Sequence, residues 1–206
     1  MALTKTSGFS LLEIMMTISI SVVLVGVTSM TMQPMIQQQH VTSAYNTTLT
    51  SLRRAHDQAA ADMRVYVVTF SAATPGNGGT ITATQNTPAG PVLFTVQLPT
   101  DVTYHVEPGV PTSPTVAPTT PDGFGTAATA FDFDQPPGGA GGGNAIYFYP
   151  DGTAEDINGN INNGVVYLGM AGNLLSSRAV TLWGYTGRIR GWRLVKSGAA
   201  YAWSQQ

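Results

Sequence analysis

Residues 5–13 read Lys5-Thr6-Ser7-Gly8-Phe9-Ser10-Leu11-Leu12-Glu13, and they lead without a break into an uncharged apolar segment from Ile14 to Met32. At about 1.5 Å of rise per residue, a helix over this segment is roughly 28 Å long, close to the roughly 30 Å thickness of bilayer hydrocarbon. The segment is therefore predicted to form a membrane-spanning helix.

Glu13 is an acid directly before this apolar segment. A carboxylate in hydrocarbon is energetically costly unless it pairs with a cation, so we expect Glu13 to have a cationic partner. Lys5 precedes the segment and the next Lys or Arg is Arg53, a bias that predicts a cytoplasmic N-terminus. The leader lacks a separate apolar h-region and a small-x-small cleavage site, so it is not an ordinary secretory signal.

The first thirty or so residues resemble the type IV prepilin class, in which a dedicated peptidase cuts after the Gly of G-F-S-L-x-E and methylates the new N-terminal Phe. The matching positions are Gly8, Phe9 and Glu13. The resemblance implies a leader over 1–8 and a transmembrane and assembly helix over 9–33. It also implies that the amine created on Phe9 neutralises Glu13 of a neighbouring subunit. The alternative is a signal-anchor helix whose Glu is accidental.

A second helical pattern follows the membrane segment. Apolar residues recur at spacings of three and four, at Val41, Tyr45, Leu49, Leu52, Ala55, Ala59 and Met63. This stripe predicts an amphipathic continuation of the helix over 34–64. Pro34 is expected to bend or open the helix, and two separate helices joined near Gln33-Pro34 are the alternative.

Beyond Arg64 the pattern becomes that of short strands. They are predicted at Val65–Phe70, Thr80–Thr84, Val92–Leu98, Val102–Val106, Ala145–Tyr149, Val165–Leu168, Ala179–Tyr185 and Arg188–Val195. Two interruptions, 73–79 and 108–143, are rich in Pro and Gly and predict exposed loops, the longer being an insertion near 107–144. The predicted fold is α+β: a long N-terminal helix packed on an antiparallel β domain over 65–206, with no cysteine to form a disulfide.

The C-terminal third resembles the GspH/FimT branch of minor pseudopilins. Its basis is Ala145-Ile146-Tyr147-Phe148-Tyr149-Pro150-Asp151-Gly152, followed by two strands and then Gly187-Arg188-Ile189-Arg190. The resemblance implies a pilin-like, non-enzymatic subunit of a type II secretion pseudopilus or a type IV pilus. It would be held in the inner membrane with its C-terminal domain in the periplasm. Its implied partners are other pilins and the prepilin peptidase.

Charge is divided unevenly along the chain. Between Val65 and Ser177 there is no Lys or Arg, whereas from Arg178 to the end there is no acid. The late cations include the candidates for binding DNA, namely Arg188, Arg190, Arg193 and Lys196. In a regular strand Arg188, Arg190, Trp192 and Lys196 share one face and Arg193 takes the other. Nearby aromatic residues would stack on bases. The alternative is that these arginines neutralise acids of the same domain or of a neighbouring subunit, and that the aromatic residues form core.

Other chemistry has little support in the sequence. The run from Asp156 to Asn162 alternates oxygen-bearing side chains as calcium loops do, but the expected glycine and acid positions hold Ile161 and Tyr167, so a turn is favoured. Asp132 and Asp134 are expected at a loop edge rather than as a catalytic pair. The three histidines have no metal-binding spacing. The sequence therefore predicts no enzyme, no metal and no cofactor.

Overall fold

The computed structural model describes residues 8–74, 77–112, 122–135 and 143–206, apart from the side chains of 29–34 and 134–135. One long helix, α1 (Leu11–Asp62), precedes ten strands in these ranges. The strands are β1 (Tyr66–Ser71), β2 (Thr80–Gln85), β3 (Val92–Gln97), β4 (Phe131–Gln135), β5 (Ala145–Phe148), β6 (Ala154–Glu155), β7 (Asn163–Leu168), β8 (Arg178–Trp183), β9 (Arg188–Ser197) and β10 (Ala200–Gln205). The predicted α+β class is confirmed. The chain divides into two compact units, Met1–Gln38 and Gln39–Gln206.

The first unit contains the apolar part of α1. Leu11–Thr28 is long and apolar enough to cross a membrane, and none of it is buried by the protein. Its hydroxyl groups bond back into the helix, as when Thr17 donates to the carbonyl of Ile14 at 2.9 Å and Ser21 to that of Thr17 at 2.7 Å. Polar groups that are satisfied within a helix do not need water, which suits the segment to hydrocarbon. Most of the leader predicted over 1–8, with Lys5, lies outside the described residues, as does the side chain of Pro34.

The second unit begins with the remainder of α1, which buries a stripe of small and apolar side chains. The stripe comprises Val41, Ala44, Tyr45, Thr48, Ser51, Leu52, Ala55 and Ala59. Leu49 packs at its edge. Met63 does not belong to it: α1 ends at Asp62, and Met63 has a positive φ of 54° and is 75% exposed. The predicted amphipathic face is confirmed up to Ala59.

The strands form two antiparallel sheets. Sheet I has the order β3-β2-β1-β5-β6, and sheet II has the order β10-β9-β8-β7-β4. Seven of the eight predicted strands are present. The prediction for Val102–Val106 was wrong, because this segment makes only an isolated bridge between Thr103 and Gly169. Strands β4, β6 and β10 were not predicted.

A shared core joins α1 to both sheets. Buried side chains of the helix meet those of sheet I, such as Val68, and those of sheet II, such as Val180, in one cluster. Phe133 of β4 stacks on Phe70 of β1, with ring centroids 5.6 Å apart. A second, smaller cluster covers the other face of sheet II around Tyr167, Trp192 and Trp203.

The insertion near 107–144 is not wholly an exposed loop. Its described parts include strand β4, the buried ring of Phe133, and Val110, which is also buried. Asp132 and Asp134 therefore lie in a strand of sheet II and not at a loop edge. The ranges 113–121 and 136–142, including most of the glycine run, lie outside the described residues.

Candidate functional site

The predicted processing and assembly residues lie together at the start of the first unit. Gly8 has open space around its Cα, and Phe9 is 80% exposed. The carbonyl of Ser10 accepts hydrogen bonds from the amides of Glu13 at 3.0 Å and Ile14 at 3.2 Å, which begins α1. The Gly8–Phe9 peptide bond is thus accessible just before the helix.

Glu13 lies in the first turn of α1 and is exposed. An acid there interacts favourably with the positive end of the helix dipole. Among the described residues, no ion pair involves Glu13. Its carboxylate is therefore open to a cation from outside this part of the chain.

The second candidate site is built on the late hairpin of β8 and β9. Gly187, in the turn between these strands, has a φ of 58°, and a Cβ there would overlap the imidazole of His56 on α1. A Cβ at Gly191 would overlap the phenol of Tyr45. Ile189 is buried between these two glycines. The odd-numbered positions of the Gly187–Gly191 run therefore face α1, and glycine at two of them lets the helix approach closely.

The arginines of the same run face the opposite side of sheet II, as the strand alternation predicts. Arg188 Nη2 lies 3.0 Å from Asp122 Oδ2, and Arg190 Nη1 lies 2.7 Å from the same oxygen. The hydroxyl of Thr181 donates to Asp122 Oδ1 at 3.1 Å. The Asp122 side chain is only 11% exposed. These contacts favour the alternative considered for the two arginines, which is neutralisation of an acid in the same domain.

An aromatic cluster is built around Phe124, two residues after Asp122. The ring of Phe124 stacks on Trp203, with centroids 5.3 Å apart and planes at 11°, and meets Trp192 edge-on at 5.3 Å. Tyr167 donates a hydrogen bond from its hydroxyl to the carbonyl of Phe124. Trp203 Nε1 donates to the carbonyl of Pro111 at 3.0 Å. The segment around Asp122 and Phe124 is thereby held on the face of sheet II that carries Arg188 and Arg190.

The other two predicted DNA-binding residues are exposed. Arg193 and Lys196 are exposed on β9, and neither makes an ion pair within the ranges that the structure describes. Of the four predicted residues, Arg188 and Arg190 are brought together on one carboxylate, whereas Arg193 lies on the other face of the strand.

Arg178 is a buried cation that the sequence analysis did not single out. It is 6% exposed and lies directly across from Arg193 on the neighbouring strand. Its Nη1 donates to the carbonyls of Leu175, Ser176 and Ser177 at 3.1–3.3 Å. Burial, together with the nearby Arg193, lowers the pKa of Arg178 to about 10. Its role is to satisfy the carbonyls at the end of a short helical turn, and no sequence signal marks that role.

The remaining candidates form local structure. Burial acts to raise the pKa of Asp156, but hydrogen bonds from Asn160 and Asn158 outweigh burial and lower it. Its Oδ1 accepts from both backbone amides at 2.8 Å, as expected for a turn. Within the described ranges, no group of three or more His, Cys, Asp or Glu side chains could hold a metal ion.

Comparisons with known protein families, with curated proteins and with solved structures found no match to this chain.

Proposed function

We propose that this chain is a structural subunit of a membrane-anchored filament, a minor pilin or pseudopilin of a type IV pilus or a type II secretion pseudopilus. The observation that carries the proposal is an exposed apolar helix, Leu11–Thr28, that begins directly after an accessible Gly8–Phe9 bond and carries a lone Glu13 in its first turn. A helix with no apolar cover of its own needs either lipid or other helices around it, and a filament subunit meets both in turn.

The pilin-like arrangement is part of the proposal. One long helix precedes two antiparallel sheets and packs its outer half against them, which is compatible with a pilin head. The chain would lie in the inner membrane with its N-terminus in the cytoplasm and residues 65–206 in the periplasm. The leader predicted over 1–8 would stay on the cytoplasmic side, where prepilin peptidase acts.

Assembly then follows from one charge. Hydrolysis of the Gly8–Phe9 bond by the peptidase leaves an amine on Phe9, and its ammonium or methylammonium form is a cation at the end of the helix. In a bundle of such helices this cation neutralises Glu13 of a neighbouring subunit. Breaking a buried ion pair by removing one partner is strongly unfavourable, so the pair would fix the register of the subunits.

The test separates insertion from assembly. Glu13→Ala should leave membrane insertion intact, because the substitution removes a charge from the helix, and it should reduce recovery of the chain in sheared filaments. Glu13→Gln is the isosteric comparison. Gly8→Leu should block maturation, leaving a heavier species on a gel. Unchanged recovery of Glu13→Ala in filaments would exclude the ion-pair account.

A second candidate function is binding of DNA by the head, with Arg188, Arg190, Arg193 and Lys196 as contacts. The observation that favours it is that Arg193 and Lys196 are exposed and make no ion pair in the described part of the chain, with Lys196 on the same strand face as Trp192. Lys and Arg that neutralise phosphates give binding that weakens steeply with salt. The test is to measure how much DNA the chain retains across a series of salt concentrations. Retention should be lost when Arg193 and Lys196 are both replaced by Gln. Neither function requires catalysis or a cofactor.

A further inference from the structure

The face of sheet II that carries Arg188 and Arg190 is occupied by the chain's own residues Asp122 and Phe124. We propose that this face is a binding site for single-stranded nucleic acid that the chain itself fills, with the Asp122 carboxylate in the place of a phosphate and the Phe124 ring in the place of an unpaired base. The proposal rests on the second candidate function and adds to it the regulation of the same site.

The anion half of the site resembles a phosphate clamp. Two guanidinium groups converge on a single oxygen, Asp122 Oδ2, at 3.0 and 2.7 Å, and the hydroxyl of Thr181 reaches the other oxygen at 3.1 Å. Arg188 Nε is buried and has no hydrogen-bond partner among the described residues. The two oxygens of the Asp122 carboxylate accept from the other donors and leave Arg188 Nε unused. A phosphate offers further oxygens in a tetrahedral arrangement, so it could satisfy the remaining donor.

The aromatic half resembles a base-stacking platform. The Phe124 ring lies nearly parallel to Trp203 at 5.3 Å and is held at its edge by Trp192. Stacking on aromatic side chains accepts any unpaired base, because every base has a flat π-face. Duplex DNA keeps its bases stacked on one another, so this half of the site selects a single strand.

The contacts that hold the segment can be exchanged for those of a ligand. Asp122 and Phe124 lie outside the strands, and the side chains of Arg188 and Arg190 are about one-third exposed even with Asp122 in place. A bound strand would replace one anion by another and one stacked ring by another. Lys196, which is exposed and shares the β9 face of Arg188 and Arg190, would supply the first contact with a phosphate.

The experiment measures binding of a fluorescently labelled oligo-dT strand and of an abasic strand of the same length to the full chain in uncharged detergent. Asp122→Asn should tighten binding of both strands by about tenfold, since at least one charge-assisted hydrogen bond becomes available to phosphate. Its salt dependence should steepen by about 1.4 in log–log slope, the value for two single-strand phosphate contacts. Phe124→Ala should tighten binding of oligo-dT alone.

Asp101→Asn is the matched control. It removes the same charge from an acid that pairs with His40 at 2.7 Å and does not contact the arginines, so it should change binding by less than about twofold through long-range charge alone. Converting Arg188 and Arg190 to Gln in the Asp122→Asn chain should abolish the gain.

Amide hydrogen exchange on the wild-type chain provides a measurement that does not depend on a variant folding. Addition of oligo-dT should speed exchange at residues 122–125, since the strand displaces them. Binding by the wild type without faster exchange there, and without a gain in Asp122→Asn, would overturn self-occupancy while leaving DNA binding in place. No binding by any variant at low salt would overturn both.

Discussion

At the scale of single residues, Tyr45 of α1 packs against Gly191 of sheet II. The phenol lies where a Cβ on Gly191 would be, and its hydroxyl is buried with no hydrogen-bond partner among the described residues. Burial accordingly raises the pKa of Tyr45. The helix therefore approaches the strand at the expense of one unsatisfied polar group.

Opposite effects are expected from substituting these two residues. Tyr45→Phe should raise the free energy of unfolding by up to about 1 kcal/mol, because it deletes a buried hydroxyl that gains nothing in the folded state. Gly191→Ala should lower it by about 2 kcal/mol through overpacking. Denaturant unfolding of both variants and of the double variant would measure the coupling. Additive effects would show that the hydroxyl of Tyr45 and the methyl group introduced at position 191 do not compete for the same space.

A pH effect is expected at Tyr104. Burial raises the pKa of this tyrosine, and a hydrogen bond with the hydroxyl of Thr48 only partly opposes the shift. Above about pH 10 the phenol ionises in the unfolded chain but stays neutral in the folded one, so the unfolded state binds fewer protons and stability falls as pH rises. The loss should reach about 1 kcal/mol by pH 11. Denaturation near pH 8 and pH 11 should show a smaller loss in Tyr104→Phe, and equal losses would contradict the account.

At the scale of elements, the apolar part of α1 combines exposure with internal satisfaction of its hydroxyls. Val22→Arg, near its middle, should reduce membrane insertion, since a central arginine costs about 2.5–3.5 kcal/mol on insertion scales. Val22→Leu is the size-matched control, and Ser21→Ala should also insert normally because its hydroxyl bonds within the helix. Resistance to alkaline carbonate extraction measures insertion. Full resistance of Val22→Arg would count against a spanning helix.

The sequence predicted elements well where hydrophobic periodicity and local composition agree. The stripe from Val41 to Ala59 and the runs at β1, β2 and β8 are examples. Phe131-Asp132-Phe133-Asp134 alternates apolar and acidic residues, as a strand does. Strand β4 was nevertheless missed, because this short alternation lies within a stretch rich in Pro and Gly, whose composition indicates a loop. Strand β10 was missed because only Tyr201 and Trp203 in it favour a strand, and the alanines beside them are depleted in strands. Tertiary pairing with β7 and β9 supplies what these segments lack.

At the scale of the whole molecule, the described strand of the insertion, β4, contributes to the core. Phe133 is fully buried and stacks across to Phe70 of the other sheet. Phe133→Ala should lower the free energy of unfolding by about 3–5 kcal/mol, as expected for loss of a large buried ring. Val92→Ala, at an exposed position, should cost less than about 0.5 kcal/mol. Denaturant midpoints would compare the two variants. Similar midpoints would contradict a contribution of Phe133 to the core and would favour an exposed loop.

The site formed by Arg188, Arg190 and Asp122 was predictable only in part, because its residues are far apart in the sequence. Alternation along β9 placed Arg188, Arg190 and Trp192 on one face without any structure. Their partner Asp122 is 66 residues from Arg188 and sits in a stretch whose composition indicates a loop. No local pattern links residues so far apart, because their contact depends on how the chain returns to sheet II.

Successive side chains of β9 face α1 and Asp122 in turn. The number of residues in this strand is therefore as strongly constrained as the identity of those residues. A single residue inserted between Ile189 and Arg190 would transpose every later side chain, turning a guanidinium towards Tyr45 and a glycine towards the tryptophans. Substitutions at the exposed Arg193 or Lys196 would leave the fold of the sheet intact, whereas a codon gained or lost here would exchange the residues on its two faces. Selection on this hairpin is therefore expected to purge indels more strongly than point changes.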